Sequence, residues 1–413
     1  MSPDRNAAGL ARGDRFLNTK STRGLTICFL VLLLDGLDTT SIAFVAPILA
    51  QKWSIPVSSF TFAFVATSFG AVVGYVVCGP LTQSLGSRVV GAAFVALFGF
   101  GTLSMAAAWD VTSLSALRFV SAVGLGGVVP IAIVAASDLV SARHKETAVL
   151  LVASGLSAGA ATGGLVGGPL MSAYGWKAVF VLGGALPFFI LPPFVRLLRV
   201  NDSLGESPAT DRSGASLVVQ LFADGLAERT GLLWTFAFLI FVVTHALIFW
   251  TPTLLLELDF EQNQAPLATA AFGMGGLIGS VMMVLFVPAF GTRRLLAAAC
   301  LLSMACVVAV GRIDLSPSTV LLLITGLGAG TVTGCIGQAA LAVSLYPRRL
   351  RTTGIGFATA MGRIGSLLGP AVGGLLLLLG WPARYTFMTV LVPLSLALLV
   401  LAWLSVMLHR PAV

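Results

Sequence analysis

Long apolar windows separated by short polar joints occupy almost the whole chain. Twelve of them recur between Leu25 and Leu408, at 24–50, 58–81, 89–108, 112–137, 147–171, 177–198, 231–256, 265–289, 294–311, 317–343, 352–379 and 382–408. Each is about 20 residues or longer, the length at which an α-helix crosses the hydrocarbon core of a bilayer. The pattern predicts an all-α membrane protein of twelve transmembrane helices. One long polar stretch, 201–230, rich in Ser, Gly, Pro, Asp and Glu, divides the windows six and six. The predicted organisation is an N-terminal arm (1–23), a six-helix bundle (24–200), a linker (201–230), a second six-helix bundle (231–408) and a short tail (409–413). Part of the linker, 216–229, has the character of a short amphipathic helix lying on the membrane surface.

Composition agrees with this class. Only 10% of residues are charged, against 57% hydrophobic, whereas a soluble globular chain carries about 25% charged residues. The first apolar run is longer than the core of a secretory signal and contains two aspartates, so it is expected to be a retained first helix. The five cysteines all lie within apolar windows and read as small buried hydrophobes rather than a disulfide or metal framework.

A net charge of +8 raises the question of nucleic acid, but its distribution answers otherwise. Of 24 Lys and Arg residues, 18 fall on the side that would hold both termini. Lys52, Lys177, Arg312 and Arg384 fall on the other side, and Arg118 and Arg363 fall within windows. Basic residues accumulate in cytoplasmic loops, so both termini are expected in the cytoplasm. Nucleic acid is not an expected partner. Arg outnumbers Lys 20 to 4, a bias that hints at a GC-rich, bacterial genome and hence at an inner (cytoplasmic) membrane.

The two halves resemble each other. Leu85-Gly86-Ser87-Arg88 matches Phe290-Gly291-Thr292-Arg293, and Gly175-Trp176 matches Gly380-Trp381 at the same offset. Glycines 155, 159, 163 and 167 with Gly168-Pro169 in the fifth window correspond to Gly365, Gly369-Pro370, Gly373 and Gly374 in the eleventh. Parallel duplication of this kind, with the binding site between the halves, is the architecture of major facilitator transporters.

Three segments resemble a narrower family, the aromatic acid:proton symporters. Asp35-Gly36-Leu37-Asp38-Thr39 resembles its DGxDT signature in the first helix. Trp250-Thr251-Pro252-Thr253-Leu254-Leu255 is similar to its W-x-P-T-L-L ending in the seventh. Tyr346-Pro347, Arg351-Thr352-Thr353-Gly354, Gly362-Arg363-Ile364-Gly365 and Gly369-Pro370 follow its order around the eleventh. The resemblance implies uptake of a benzoate-, hydroxybenzoate- or phenylpropionate-like acid together with a proton. It also implies a structural or gating role for Arg363, with direct contact to substrate as the alternative, and gating roles for Gly79, Gly86 and Arg88 in the loop between helices two and three. That loop departs from the facilitator pattern, because Gln83 stands where an acid is usual.

The residues themselves single out a few candidates. An ionisable side chain at mid-membrane costs at least about 2.5–3.5 kcal/mol, so Asp35 and Asp38 inside the first window are candidate proton carriers. Their spacing of three puts them on one helix face with Thr39 nearby. A structural partnership with a helix arginine is the alternative. Arg118 in the fourth window either holds a substrate carboxylate through its planar fork or pairs with a first-helix aspartate. Thr39, His245, Gln338, Thr244 and Trp250 are further candidates for contact with substrate, and Phe44, Phe64 and Phe249 for stacking on an aromatic ring. His245 either titrates near neutral pH, donates to a ring hydroxyl, or is a satisfied polar residue on an inner face. Two arginines and two aspartates balance within the membrane, so a monoanion and a proton entering together leave no charge unpaired.

Other matches are set aside. Gly155-Leu156-Ser157-Ala158-Gly159 fits the hydrolase pattern G-x-S-x-G but lies in a helical, glycine-spaced window without strand context. Gly124-Leu125-Gly126 has no preceding strand, so no dinucleotide fold follows. No phosphate-binding loop, enzyme constellation, cofactor or metal site is expected. The reading is a monomeric secondary transporter importing a small aromatic acid with a proton by alternating access. Its rivals are a proton-driven exporter of drugs or organic acids and a carrier-derived sensor that does not transport.

Overall fold

The computed structural model describes residues 19–141, 144–202, 219–223, 225–257, 260–261, 264–312, 315–347 and 350–409. The first half contains α1 (Thr19–Trp53), a 3-10 turn (Val57–Phe60), α2 (Thr61–Leu85), α3 (Ser87–Met105), α4 (Val111–Asp138), α5 (Lys145–Tyr174) and α6 (Lys177–Asp202). The second contains α7 (Ala227–Leu256), α8 (Ala265–Phe290), α9 (Thr292–Arg312), α10 (Pro317–Leu345), α11 (Arg351–Leu378), α12 (Ala383–Met388) and α13 (Leu391–His409). Twelve spans among them are long and apolar enough to cross a membrane.

The last window, expected as one helix, is broken into α12 and α13. Pro393 has no N–H to give the carbonyl of Thr389, so the ladder is interrupted one turn before it. The turn is closed instead by the Val392 amide on the Thr389 carbonyl at 3.1 Å. The surface helix expected at 216–229 also differs. Residues 219–220 are helical, 221–223 form a turn and α7 already begins at Ala227, while 203–218 and 224 lie outside the described residues. The Thr230 hydroxyl donates to the Leu221 carbonyl at 2.6 Å and accepts from the Tyr346 hydroxyl at 3.0 Å. Most of the N-terminal arm and residues 410–413 likewise lie outside the described set.

Helix ends follow local chemistry. Asp110 caps α4: its carboxylate accepts from the Ser113 amide at 2.7 Å, and the Ser113 hydroxyl accepts from the Asp110 amide at 3.2 Å, a capping box. The Ser113 hydroxyl and amide hold the exposed Asp110 carboxyl below the usual carboxylate range. Gly86 and Gly291, the matched glycines of the repeat, have φ of +81° and +78°. Each joins two helices with a single residue, a left-handed geometry that favours glycine. The repeat therefore marks a backbone turn.

Packing within each half runs through the same helix pairs. In the first half α1 packs on α5 and α2 on α4; in the second, α7 packs on α11 and α8 on α10. Small residues make the approach possible. Gly36 of α1 lies against the Leu156 backbone of α5, and Gly365 and Gly369 of α11 lie against the carbonyls of Phe238 and Val242 in α7. The halves meet along α5–α8, α2–α11 and α1–α7.

The meeting is tight on the face opposite the termini. There Phe64 of α2 stacks on Phe249 at 4.9 Å and meets Trp250 edge-on at 4.9 Å, and Thr61 packs against Gly374. Deeper along α2, the Ser68 hydroxyl donates to the Ser366 carbonyl at 2.9 Å, and Tyr75 meets Arg363. Farther toward the terminal face, Gly79 and Gly356 have open space where a Cβ would stand.

These contacts separate two kinds of glycine. Gly36→Val is expected to lower the thermal unfolding midpoint in detergent by several degrees, because forcing volume into a filled interface costs about 1–3 kcal/mol. Gly356→Ala, on an exposed helical position, is expected to leave it unchanged or raise it slightly. Size-exclusion chromatography after a temperature ramp measures both.

Candidate functional site

Two groups of ionisable side chains occupy the middle of the bundle, and they differ in how completely they are partnered. The first is closed. Asp38 of α1 and Arg118 of α4 form an ion pair at 2.7 Å, with both side chains fully buried. Arg118 donates from a second terminal nitrogen to the Asp38 carbonyl at 2.8 Å and from Nε to the Thr67 hydroxyl at 2.9 Å. The Thr102 hydroxyl donates to Asp38 Oδ1 at 2.9 Å, and Ser121 reaches Oδ2 at 3.4 Å. Hydrogen bonds on nearly every side are what make a buried pair tolerable.

The second group faces a cavity of about 270 Å³ between the halves. Asp35 lines it from α1, with Oδ1 accepting from the Thr39 hydroxyl at 3.0 Å. Arg363 lines it from α11. Its guanidinium donates to the Tyr75 hydroxyl at 2.7 Å and lies over the Tyr75 ring, with Cζ 4.4 Å from the centroid. Arg363 Nε has no hydrogen-bond partner. The ion pairs among the described residues are Arg118–Asp38 and Lys145–Asp138, so neither Asp35 nor Arg363 belongs to one. One acid and one base thus stand in the same cavity, each free to take a partner.

The rest of the wall is apolar and aromatic. Phe241, His245 and Phe249, at successive turns of α7, all line it. His245 stacks on Phe241 at 5.6 Å between centroids and is tilted against Phe249 at 6.4 Å. Its Nδ1 lies 3.0 Å from the Phe241 carbonyl oxygen. Pockets for drug-sized ligands run about 300–1,000 Å³, so this volume suits a single-ring compound.

Of the residues singled out from the sequence, the structure brings Asp35, Thr39, His245 and Arg363 to the cavity, with Thr244 and Phe249 beside them. It does not bring Asp38, Arg118, Gln338 or Trp250 there. A spacing of three leaves Asp35 and Asp38 roughly 60° apart around the helix, enough to turn one to the cavity and the other into the bundle. Arg118 has its donors on Asp38 and Thr67. Gln338 donates to the Thr359 hydroxyl at 3.0 Å between α10 and α11, and Trp250 donates to the Pro370 carbonyl at 2.9 Å. Phe44 packs over Gly167. Gly79, Gly86 and exposed Arg88 lie at the α2–α3 joint, away from the cavity.

Sequence reasoning missed Tyr75, Ser157, Thr251 and Thr269, which also line the cavity. Tyr75 carried a usable signal: it is one of four tyrosines in the chain and falls inside an apolar window. The hydroxyl residues carried none, because Ser and Thr are common in membrane helices, where their hydroxyls bond the preceding turn.

The arrangement suits reversible binding of a small amphipathic anion: a cation to attract it, an aromatic wall to receive its ring, and a carboxylate able to exchange a proton. Comparison with known proteins bears on this. A sequence model of the Major Facilitator Superfamily matches residues 28–338 and again 267–412. The chain is 31% identical over 405 residues to the 4-hydroxybenzoate transporter PcaK of Pseudomonas aeruginosa, covering 91% of this chain and 90% of that protein. It is 34% identical over 363 residues to the 3-(3-hydroxy-phenyl)propionate transporter of Escherichia coli, covering 86% of each. Among solved structures, the nucleoside transporter NupG superposes with a TM-score of 0.72 at 12% identity, over 94% of this chain and all of that one.

The closed pair makes a separate prediction. Arg118→Leu leaves the Asp38 carboxylate buried without its partner, a change that costs about 3–5 kcal/mol. It is expected to lower folded yield and the unfolding midpoint sharply. The double variant Asp38→Asn with Arg118→Gln is expected to recover part of the loss. A double-mutant cycle on thermal unfolding reads the coupling.

Proposed function

This chain belongs to the Major Facilitator Superfamily, and from that premise we propose that it imports a small aromatic carboxylic acid together with a proton. The observation that carries the proposal is the unpaired Asp35 and Arg363 facing one aromatic-walled cavity. The printed substrates of the two relatives, 4-hydroxybenzoate and 3-(3-hydroxy-phenyl)propionate, supply the ligand class.

In this reading the substrate carboxylate binds Arg363, whose planar fork offers two parallel donors, and the proton binds Asp35. The coupling follows from charge. The empty cavity holds one negative and one positive side chain. With an anion on Arg363 and a proton on Asp35 the sum is again zero. Either ligand alone leaves a net charge in a low-dielectric site, which is costly. The empty and the doubly loaded carrier are therefore the forms that reorient easily. A one-to-one cycle with a monoanion moves no net charge, so the pH gradient drives it. Asp38 and Arg118 keep their own pair throughout and set the position of α1, on which Asp35 stands.

Closure by Phe64, Phe249 and Trp250 opposite the termini, with open space at Gly79 and Gly356, supports an alternating-access cycle caught open toward the terminal face. The excess of Lys and Arg on that face supports a cytoplasmic location for both ends. The protein is then a multi-pass carrier of a bacterial inner membrane, acting as a monomer.

Cells expressing the protein are expected to accumulate labelled 4-hydroxybenzoate faster at acid than at neutral external pH, and an uncoupler should abolish accumulation. Asp35→Asn, which mimics the protonated acid, is expected to lose accumulation at least tenfold while retaining exchange of labelled for unlabelled substrate. Arg363→Gln should raise the apparent KM by about 10- to 100-fold, the range set by a charged hydrogen bond of about 1.5–3 kcal/mol. Acid-stimulated uptake that survives Asp35→Asn would exclude this proton site. Accumulation in everted vesicles alone would turn the reading to export.

A further inference from the structure

His245 is the cavity residue whose chemistry the transport reading does not use. Its ring sits in the apolar stripe of α7, between Phe241 one turn below and Phe249 one turn above. Nδ1 is 3.0 Å from the Phe241 carbonyl oxygen. A carbonyl oxygen only accepts, so Nδ1 must carry the hydrogen. In the neutral ring the other nitrogen, Nε2, then presents a lone pair. No side chain or backbone group among the described residues is bonded to it, and His245 lines the cavity.

The same stripe supplies a scale. Both polar groups stand beside Phe241: the Arg363 guanidinium carbon is 6.0 Å from its ring centroid, and the His245 imidazole centroid is 5.6 Å from it. Arg363 and His245 therefore flank one aromatic side chain in one cavity, within reach of two polar substituents on a single small ring. The ring would lie along the Phe241–Phe249 face, with its carboxylate toward the guanidinium and its far edge toward Nε2. An acceptor there favours a donor on the ligand. A hydrogen on carbon leaves the lone pair unsatisfied, and a methyl ether offers oxygen lone pairs and bulk against it.

We propose that His245 Nε2 selects for a ring hydroxyl, so that the preferred substrates are hydroxylated aromatic acids rather than unsubstituted or O-methylated ones. This deepens the transport reading and rests on it.

The test is a ligand series in cells expressing the full chain: labelled 3- and 4-hydroxybenzoate, the matching methoxybenzoates, and benzoate. For the wild type, the hydroxy acids are expected to show an apparent KM about tenfold below the others, the range set by one hydrogen bond and one unsatisfied acceptor. His245→Phe keeps an aromatic ring and removes the acceptor, so the hydroxy-to-methoxy ratio should fall toward one. His245→Gln, whose amide oxygen can accept, should restore part of it. Equal KM values for hydroxy and methoxy acids in the wild type, or a full ratio in His245→Phe, would overturn the inference while leaving aromatic acid transport standing. If His245→Phe does not reach the membrane, His245→Leu, which also removes the acceptor, carries the same expectation and the same overturning result. Failure of membrane-inserted wild type to carry any member would overturn the transport reading, and this inference with it.

Discussion

Charge among apolar helices is tolerable only when something neutralises it, and this constraint orders the centre of the molecule. Four charged residues, Asp35, Asp38, Arg118 and Arg363, stand in the middle of the spans. Two of them answer each other so completely that Thr67, Thr102 and Ser121 are drawn into the same network. That network ties α1 to α2, α3 and α4 and holds the first half as one body. The other two are left facing a shared cavity without ion-pair partners. A folded protein keeps such a pair of vacant charges where binding compensates the cost. The division between a closed pair and two cavity-facing charges without ion-pair partners is the central physical feature of the site.

Close helix packing makes that division possible. Small residues let α1 lie directly on α5, and α7 on α11, with backbone against backbone. The helices that carry Asp35, Phe241, His245 and Arg363 are thereby held at fixed rotation about their axes. Rotation decides which side chain meets the cavity, because a turn of some tens of degrees would exchange Asp35 for a neighbour. Phe64, wedged against Phe249 and Trp250, and Ser68, bonded to the Ser366 backbone, then bring the halves together on one side of the cavity. Arg363 against Tyr75 is the last contact of this series toward the terminal face. The guanidinium that faces the cavity is thus the same side chain that joins α2 to α11.

What the sequence determined by itself was the existence, order and class of the helices, and the identity of the four charged residues at the centre. Each span is set by its own hydrophobicity and length against a slab of fixed thickness, a local property that needs no knowledge of neighbours. The repeat and the motif order led to the two-bundle fold for the same reason: both are written residue by residue along the chain. Two local details were overrun where the chain breaks its own ladder, at Pro393, and where α7 starts before the apolar window does. What only the tertiary structure decided is which side of each helix matters. Asp35 and Asp38, alike in sequence and three residues apart, have opposite situations because α4 offers Arg118 to one and α11 leaves space before the other. Arg118 itself left two readings open, and only its distance to Asp38 distinguishes them. Tyr75 and the free edge of His245 became visible as neighbours of Arg363 only when helices far apart in the chain were brought together, since a partnership between remote residues has no period or spacing along the sequence.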